Sequence, residues 1–170
     1  SDCAFYAHLV FLKRSKHTVR KHGPFFFIYV SAGILLYRRS AAGLEVLIGH
    51  PGGPFWANRS QGAWSIPKGL VGPHEEPLEA ARREFQEETG LALGAVKMID
   101  LGRAVLRSGK QVLAWAVEGD VDTTTATSNV VSMEWPRRSG RFIEFPEIDE
   151  LRWCGVGEAS QLLNPAQQIF

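Results

Sequence analysis

Apolar residues along the chain fall into short runs separated by glycine, proline and polar turns. Aromatic and β-branched residues dominate Phe25 to Tyr37, which predicts a strand. The turn at Ala42-Gly43 and the apolar run Leu44 to Gly49 predict a second strand that closes a hairpin. Further strands are expected at Trp64 to Pro67, Val96 to Val105, Gln111 to Glu118, Val130 to Trp135 and Leu151 to Cys154.

Two segments have the spacing of helices rather than strands. Residues 77–90 begin with a proline that suits the first turn and end at a glycine that suits a C-cap. Their apolar positions recur on one face: Leu78, Ala81 and Phe85. A closing helix is expected at Gly157 to Leu163. Many strands with two helices and no internal repeat favour a mixed α/β domain.

Charge divides the chain unevenly. The 170 residues have a net charge of +1, but residues 1–24 alone carry +4, and the remaining 146 residues carry −3. Gly23-Pro24 marks a natural boundary. We therefore predict a basic appendage over residues 1–24 and a domain over 25–170. A solvated tail is the favoured interpretation of the appendage, and binding to an acidic partner is the alternative. The small net charge makes nucleic acid an unlikely partner of the whole chain.

Cysteine usage and hydropathy indicate a compartment. Cys3 and Cys154 form neither a disulfide framework nor a zinc knuckle, which fits a reducing environment. The longest apolar run is interrupted by polar residues and is shorter than the roughly 20 residues that span a bilayer. The apolar stretch Ala4 to Leu12 precedes its basic cluster, the reverse of a signal peptide. We expect a cytoplasmic protein that does not insert into a membrane.

The predicted helix over 77–90 has an unusual acidic face. Glu84, Glu87 and Glu88 project within roughly 100° of each other, beside the apolar face. Like charges at this spacing repel, and the last turns of a helix disfavour anions. A hard divalent cation such as Mg²⁺ or Mn²⁺ would offset both effects. A solvated acidic face with ordinary salt bridges is the alternative explanation.

The spacing around this cluster resembles the Nudix box. Gly69 is followed after five residues by Glu75 and after seven more by the run REFQEETGL, residues 83–91, so every specified position of the box matches. Residues 25–163 are similar to the Nudix hydrolase domain as a whole. The phrases SAGILLYRR, HPGGPFW, WSIPKG and MEWPRRSGR look like a bacterial subgroup related to diadenosine-tetraphosphate hydrolases. The resemblance implies an α/β/α sandwich with a mixed β-sheet.

The resemblance also implies roles for individual residues. It assigns Glu84, Glu87 and Glu88 to a divalent metal, together with the backbone at Lys68 and Gly69. Arg83 is expected to orient the glutamates, and Glu75 to be structural. A further acid from outside the box is expected to complete the site; Glu147 is the first choice, with Glu144, Asp149 and Glu150 as alternatives. Glu87 or Glu147 would then act as the general base.

The implied reaction is hydrolysis of a diphosphate linkage in a small nucleotide derivative. Candidate phosphate-binding cations are Lys68, Arg59, Arg107, Lys110, Arg137, Arg138 and Arg141. Lys68 and Arg141 are favoured among them. Phe55 and Phe142 are candidates to stack on a base, whereas Trp64 and Trp115 are expected in the core. His50 and His74 have no second histidine or cysteine at ligand spacing, so no zinc site is expected.

Several functions remain open at this stage. The favoured substrate is a nucleoside or dinucleoside polyphosphate. A pyrophosphatase for ADP-ribose or another nucleotide sugar and a non-catalytic nucleotide-binding module are the main alternatives. A third is an RNA-end processor that uses the basic N-terminus, which the net charge of −3 over the rest of the chain disfavours. The sequence does not predict the oligomeric state.

Overall fold

A computed structural model describes residues 30–170 of the chain. Its strands are β1 (Val30–Ser40), β2 (Gly43–Pro51), β3 (Lys68–Leu70), β4 (Met98–Val105), β5 (Gln111–Glu118), β6 (Val130–Glu134), β7 (Phe142–Pro146) and β8 (Ile148–Gly155). Its α-helices are α1 (Pro77–Thr89) and α2 (Val156–Leu162). The predicted appendage over 1–24 and the first residues of the strand predicted at Phe25 lie outside the described residues.

Six strands form one mixed sheet. The order is β4-β5-β1-β2-β8, and β3 pairs with the first residues of β1. β1 and β5 run parallel, whereas the other pairs are antiparallel. β6 and β7 form a separate two-stranded hairpin. The predicted mixed sheet is therefore confirmed.

Each face of the sheet carries one helix. α1 covers a core that includes Ile34, Leu36 and Phe85. α2 covers the other face, over a core that includes Ile48, Trp64 and Val112. Alternate residues of β1 and β5 thus point to opposite cores, which makes a three-layer sandwich. No helix within residues 30–170 has the length and apolarity needed to cross a bilayer.

Local chemistry explains where α1 begins and ends. Pro77 occupies the first turn, where its missing N–H has no partner to lose. Gly90 takes a left-handed φ of 72° and donates its N–H to Gln86 O at 2.8 Å. Both features agree with the predicted helix.

One strand prediction is wrong, and one strand was missed. Trp64 to Pro67 is not a strand, because only isolated bridges occur at Trp64 and Ser65, and Pro67 lacks the N–H that a ladder needs. The paired strand instead begins at Lys68. β7 was not predicted at all, although Ile143 and Phe145 are half-buried and alternate with exposed residues. β8 also starts three residues earlier than expected.

Candidate active site

The acidic face of α1 is buried rather than solvated. The exposed fraction is 1% for Glu84 and 5% for Glu88, whereas about a third of the Glu87 side chain is exposed. Phe85 on the adjoining face is fully buried. Removing two carboxylates from water is costly unless charges or hydrogen bonds compensate. Burial therefore argues against the alternative of an ordinary surface charge cluster.

Arg83 ties the carboxylates of this region together. Its guanidinium makes two bonds to Glu75, at 2.8 and 3.0 Å, and further bonds to Glu84 at 2.7 Å and Glu87 at 3.3 Å. A fourth partner is the carbonyl of Leu70 at 3.1 Å. The hydrogen bonds from Arg83 lower the pKa of Glu75, which also accepts from the Gly72 N–H. The predicted orienting role of Arg83 agrees with this geometry.

β3 lies directly against the acidic side chains. The backbone N–H of Lys68 donates to Glu88 Oε2 at 2.7 Å. At Gly69 there is no room for a side chain, because a Cβ would overlap the carboxyl group of Glu84. The backbone of β3 and two buried carboxylates thus form a narrow cradle of oxygen atoms, which is the donor set that Mg²⁺ and Mn²⁺ prefer.

The oxygen atoms present are a donor set that fits a divalent cation. Their carboxylates do not converge on a single point in this structure. Within residues 30–170, no three acidic, histidine or cysteine side chains stand at metal-ligating separations. Arg83 holds Glu84 and Glu87, and the Lys68 N–H holds Glu88. For these glutamates to bind one cation together, their carboxylates would exchange these hydrogen bonds for bonds to the metal.

Burial strongly raises the pKa of Glu88. Desolvation, with smaller contributions from Glu147 and Glu84, raises its pKa to about 8, and Lys68 opposes the shift. Without a cation, the folded protein therefore keeps Glu88 protonated at neutral pH. Because a metal ligand must be ionised, protons and cations compete for this side chain.

The raised pKa of Glu88 predicts how the free energy of unfolding depends on pH. Glu88 ionises near its ordinary pKa when unfolded but near 8 when folded, so its stabilising contribution is complete below about pH 4.5 and is lost as pH rises towards 8. In EDTA, we expect urea unfolding to give a free energy that falls between pH 5 and 7.5 by on the order of 2 kcal/mol more in the wild type than in Glu88→Gln. The control Glu79→Gln, exposed on the same helix, should keep the wild-type slope. Equal slopes in wild type and Glu88→Gln would contradict this assignment.

Two lysines face the carboxylates. Lys110 is half-buried and lies directly before β5. Its pKa is lowered to about 8 by burial and by Lys68, while Glu88, Glu84 and Glu147 act in the opposite direction. Lys68, Lys110 and the three glutamates therefore share one site. Lys110 was only one of several candidate cations in the sequence. Its position depends on the parallel pairing of β5 with β1, which the sequence does not display.

The structure brings Glu147 close enough to Glu88 for the two carboxyl groups to interact electrostatically. The Glu147 N–H donates to Asn129 O at 2.7 Å, and the Asn129 N–H donates to Glu87 O at 3.1 Å. On the other side, Gly52 N–H donates to Glu147 O at 3.1 Å. Of the alternatives, Asp149 and Glu150 also line the cleft at Glu88, but they pair with His50 and Arg152. Glu144 is exposed on β7.

His50 connects Asp149 to the loop after β2. Its Nδ1 lies 2.7 Å from Asp149 Oδ1, and its Nε2 donates to Arg59 O at 2.8 Å. The Arg59 guanidinium lies 4.3 Å from the centre of the Phe55 ring. Sequence analysis gave His50 no role, but the structure makes it the tie between the loop that carries Phe55 and the segment that carries Glu147.

Arg141 and Phe142 do not lie with the carboxylates. They stand at the far end of the β6–β7 hairpin, whose near end is Asn129 and Glu147. Five residues of extended chain separate Phe142 from Glu147, which corresponds to about 16 Å. Both residues therefore lie at the opposite end of the hairpin from Glu147.

Two grooves mark the surface around α1. A small cleft of about 100 Å³ reaches Glu88 between Ser128, Ile148 and Asp149. A larger open groove of about 460 Å³ lies between the start of α1 and strands β4 and β5, lined by Glu76, Leu78, Arg103 and Trp115. We place the site at the smaller cleft, since the larger one contains none of the buried carboxylates.

Comparison with known proteins assigns the family. The NUDIX domain family model matches residues 25–169. The chain belongs to the Nudix family, and the predicted resemblance is confirmed.

Similar proteins fall into several groups. The chain is 40% identical over 63 residues to an RNA pyrophosphohydrolase of Pseudomonas aeruginosa, covering 36% of this chain and 40% of that protein. It is 31% identical over 105 residues to the asymmetrical bis(5'-nucleosyl)-tetraphosphatase of Rattus norvegicus, covering 58% and 60%. The chain thus spans less than two thirds of either relative.

Solved structures share the fold at low sequence identity. A C. elegans Ap4A hydrolase in a binary complex matches with a TM-score of 0.56 and 21% identity, covering 78% of this chain and 84% of that one. The NUDIX domain of Shewanella oneidensis NrtR, complexed with ADP ribose, matches with a TM-score of 0.56 and 12% identity, covering 87% and 88%.

Proposed function

We propose that this protein hydrolyses a phosphoanhydride bond in a nucleoside or dinucleoside polyphosphate, with the help of Mg²⁺ or Mn²⁺. The observation that carries the proposal is the burial of Glu84 and Glu88 against the backbone of β3, with two lysines beside them. Buried carboxylates suit a cation, and cations beside them suit an anionic substrate. The names of the similar proteins from Pseudomonas and rat support the same class of reaction.

The acidic residues would hold the metal and handle the proton. Glu84, Glu87, Glu88 and the backbone at Lys68 and Gly69 are the proposed ligands. A bound divalent cation supplies charge neutralisation at the phosphate oxygens and makes water easier to ionise. Arg83 fixes the carboxylates in place through its hydrogen bonds to Glu84 and Glu87.

The reaction itself exchanges one phosphorus–oxygen bond for another. Glu87 or Glu147 takes the proton from the attacking water, whose oxygen bonds to phosphorus as the bridging P–O bond breaks. The electron pair of that bond leaves on the departing phosphate. Lys68 and Lys110 bind the phosphate oxygens and lessen their repulsion for the incoming water. Phe55, beside Arg59, is the proposed contact for a nucleobase. We place the activity in the cytoplasm.

A substrate panel tests the proposal. The wild type is incubated with diadenosine tetraphosphate, nucleoside triphosphates and ADP-ribose, each with Mg²⁺ and with EDTA, and the products are separated by ion-exchange chromatography. We expect turnover of a polyphosphate substrate that requires the metal. Nucleotide binding without turnover of any substrate would favour a binding module, and exclusive turnover of ADP-ribose would favour the nucleotide-sugar alternative.

Lys110 provides a more specific prediction. Lys110→Met should raise KM for the best substrate and lower kcat/KM by about 10-fold or more, because a charge-assisted hydrogen bond to phosphate is lost. In the wild type, KM should also rise as pH increases through about 8, where Lys110 loses its charge. Lys110→Arg should abolish that pH dependence. Lys97→Met, an exposed residue before β4, is the control, and a Lys110→Met variant with unchanged KM would exclude this role.

A further inference from the structure

His50 is a largely buried side chain whose two ring nitrogens both lie against acceptors. The exposed fraction of its side chain is 12%. Nδ1 lies 2.7 Å from Asp149 Oδ1, and Nε2 donates to Arg59 O at 2.8 Å. The ring also packs beside Trp64, with 5.2 Å between the two ring centres. These contacts fix the imidazole in place, so its bond to the Arg59 carbonyl holds the main chain there in one position.

Residues 52–59, which we call the β2 loop, carry the proposed contact for a base. A turn closes the end of the loop, where the Arg59 N–H donates to Trp56 O at 2.8 Å. The Arg59 guanidinium lies 4.3 Å from the centre of the Phe55 ring, and the Trp56 ring meets the same ring edge-on at 4.9 Å. The main chain of Arg59 is thus held by His50, while its side chain packs on Phe55.

The other end of the β2 loop is fixed beside Glu147. The Gly52 N–H donates to Glu147 O at 3.1 Å. A Cβ at Gly52 would overlap the Pro146 carbonyl, and a Cβ at Gly53 would overlap the Phe145 ring. The first residues of the loop therefore pack without a gap against the segment that carries Glu147.

These two attachments determine where Phe55 stands relative to the carboxylate site around Glu88. At one end, the β2 loop is bonded to Glu147, which interacts electrostatically with Glu88. At the other end, His50 links the loop to Asp149, which lines the cleft at Glu88. Because the scissile phosphates are proposed to lie at this cleft, the bond from His50 fixes the distance between them and Phe55.

We infer that His50 is a positioning residue that determines specificity: it holds Phe55 at a fixed distance from the carboxylate site, so that ligands with a base are preferred over phosphates without one. His50 acts through Arg59 and not by touching the substrate. A loop that is ordered before binding costs less entropy to use, which favours the ligand that contacts it. The inference rests on the proposed function and deepens it, because it names the residue that makes this site select nucleotides.

Two amide substitutions separate the two bonds of His50. The amide nitrogen of glutamine is as many bonds from Cγ as Nε2 is, and that of asparagine is as many as Nδ1 is. His50→Gln therefore keeps a donor for Arg59 O, whereas His50→Asn keeps only the partner of Asp149. Both variants remove the ring from beside Trp64, so a loss caused by packing alone is shared by the two.

Binding is measured by isothermal titration calorimetry with Mg²⁺ and two probes, a non-hydrolysable analogue of diadenosine tetraphosphate and methylenediphosphonate, which has no base. His50→Asn should bind the analogue about 10-fold more weakly, close to the loss of one stacked base, and methylenediphosphonate within about twofold of the wild type. His50→Gln should bind both probes within about threefold of the wild type. His74→Asn is the control, because it makes the same substitution at an exposed histidine whose φ of 63° asparagine also adopts.

The two probes and two variants distinguish positioning from a purely structural role. Equal losses in His50→Gln and His50→Asn, or equal losses for both probes, would overturn the inference. Wild-type affinity for the analogue in His50→Asn would also overturn it, while metal-dependent turnover in the substrate panel would leave the proposed function standing. If the predicted difference between the probes appears but no substrate is hydrolysed, the proposed function fails and the positioning role of His50 stands.

Discussion

Replacing Glu87 with glutamine is expected to lower kcat/KM by at least about 10³-fold, because the change removes both a proposed metal ligand and a candidate general base. Glu87 is the most informative of the three glutamates. About a third of its side chain is exposed and its bond to Arg83 is long, at 3.3 Å, so its loss should not disturb the core. Glu84 and Glu88 are buried, and their replacement changes folding as well.

The control for this variant is Glu79→Gln on the same helix. Glu79 is exposed and lies in the first turn of α1, away from β3. Kinetics with the best substrate at saturating Mg²⁺ and an unfolding curve are measured for both variants. Activity of Glu87→Gln within tenfold of the wild type would mean that the site is centred on other residues.

The second large effect is expected at Gly69. Gly69→Ala would place a Cβ on the Glu84 carboxyl group, which is buried and held by Arg83 at 2.7 Å and so has little room to move. Overpacking of this kind costs about 1–3 kcal/mol of stability. A displaced carboxylate should also reduce kcat/KM by about 10²-fold, as small errors in active-site geometry do.

Gly94→Ala is the matched control, because a Cβ there meets open space and its φ is not left-handed. Thermal unfolding separates the two effects: the kinetic loss should persist at temperatures where Gly69→Ala is fully folded. A Gly69→Ala variant with wild-type stability and activity would show that β3 and Glu84 are not as close as described.

Most of the fold could be predicted because its elements carry local signals. Pro77 and Gly90 bound α1 by rules that involve only neighbouring residues. β7 was missed because a five-residue strand beside a basic turn gives a weak alternating signal, and its pairing with β6 buries little. The strand predicted at Trp64 to Pro67 was placed too early. The sequence shows the apolar run there, but it does not show that the paired N–H groups begin only after Pro67.

Some residues of the candidate site could be predicted from the sequence and others could not. The glutamates of α1 could be predicted because one helix places them, whereas Lys110 reaches them only through the pairing of β5 with β1. Arg141 was favoured over Lys110 without any signal of its position, and the hairpin places it at the opposite end from Glu147. Glu147 could be chosen only through the resemblance, because its position depends on hydrogen bonds to Asn129 and Gly52, which are distant in sequence.

A crystal structure with Mn²⁺ and a non-hydrolysable analogue of diadenosine tetraphosphate tests the central claim most directly. Manganese is identified by its anomalous scattering, so the position of the cation does not depend on interpretation of the surrounding density. The account predicts an anomalous peak among the carboxylates of Glu84, Glu87 and Glu88, with the phosphates of the analogue between it and Lys110. A peak at other carboxylates, or an analogue bound away from α1 at saturating Mn²⁺, would contradict it.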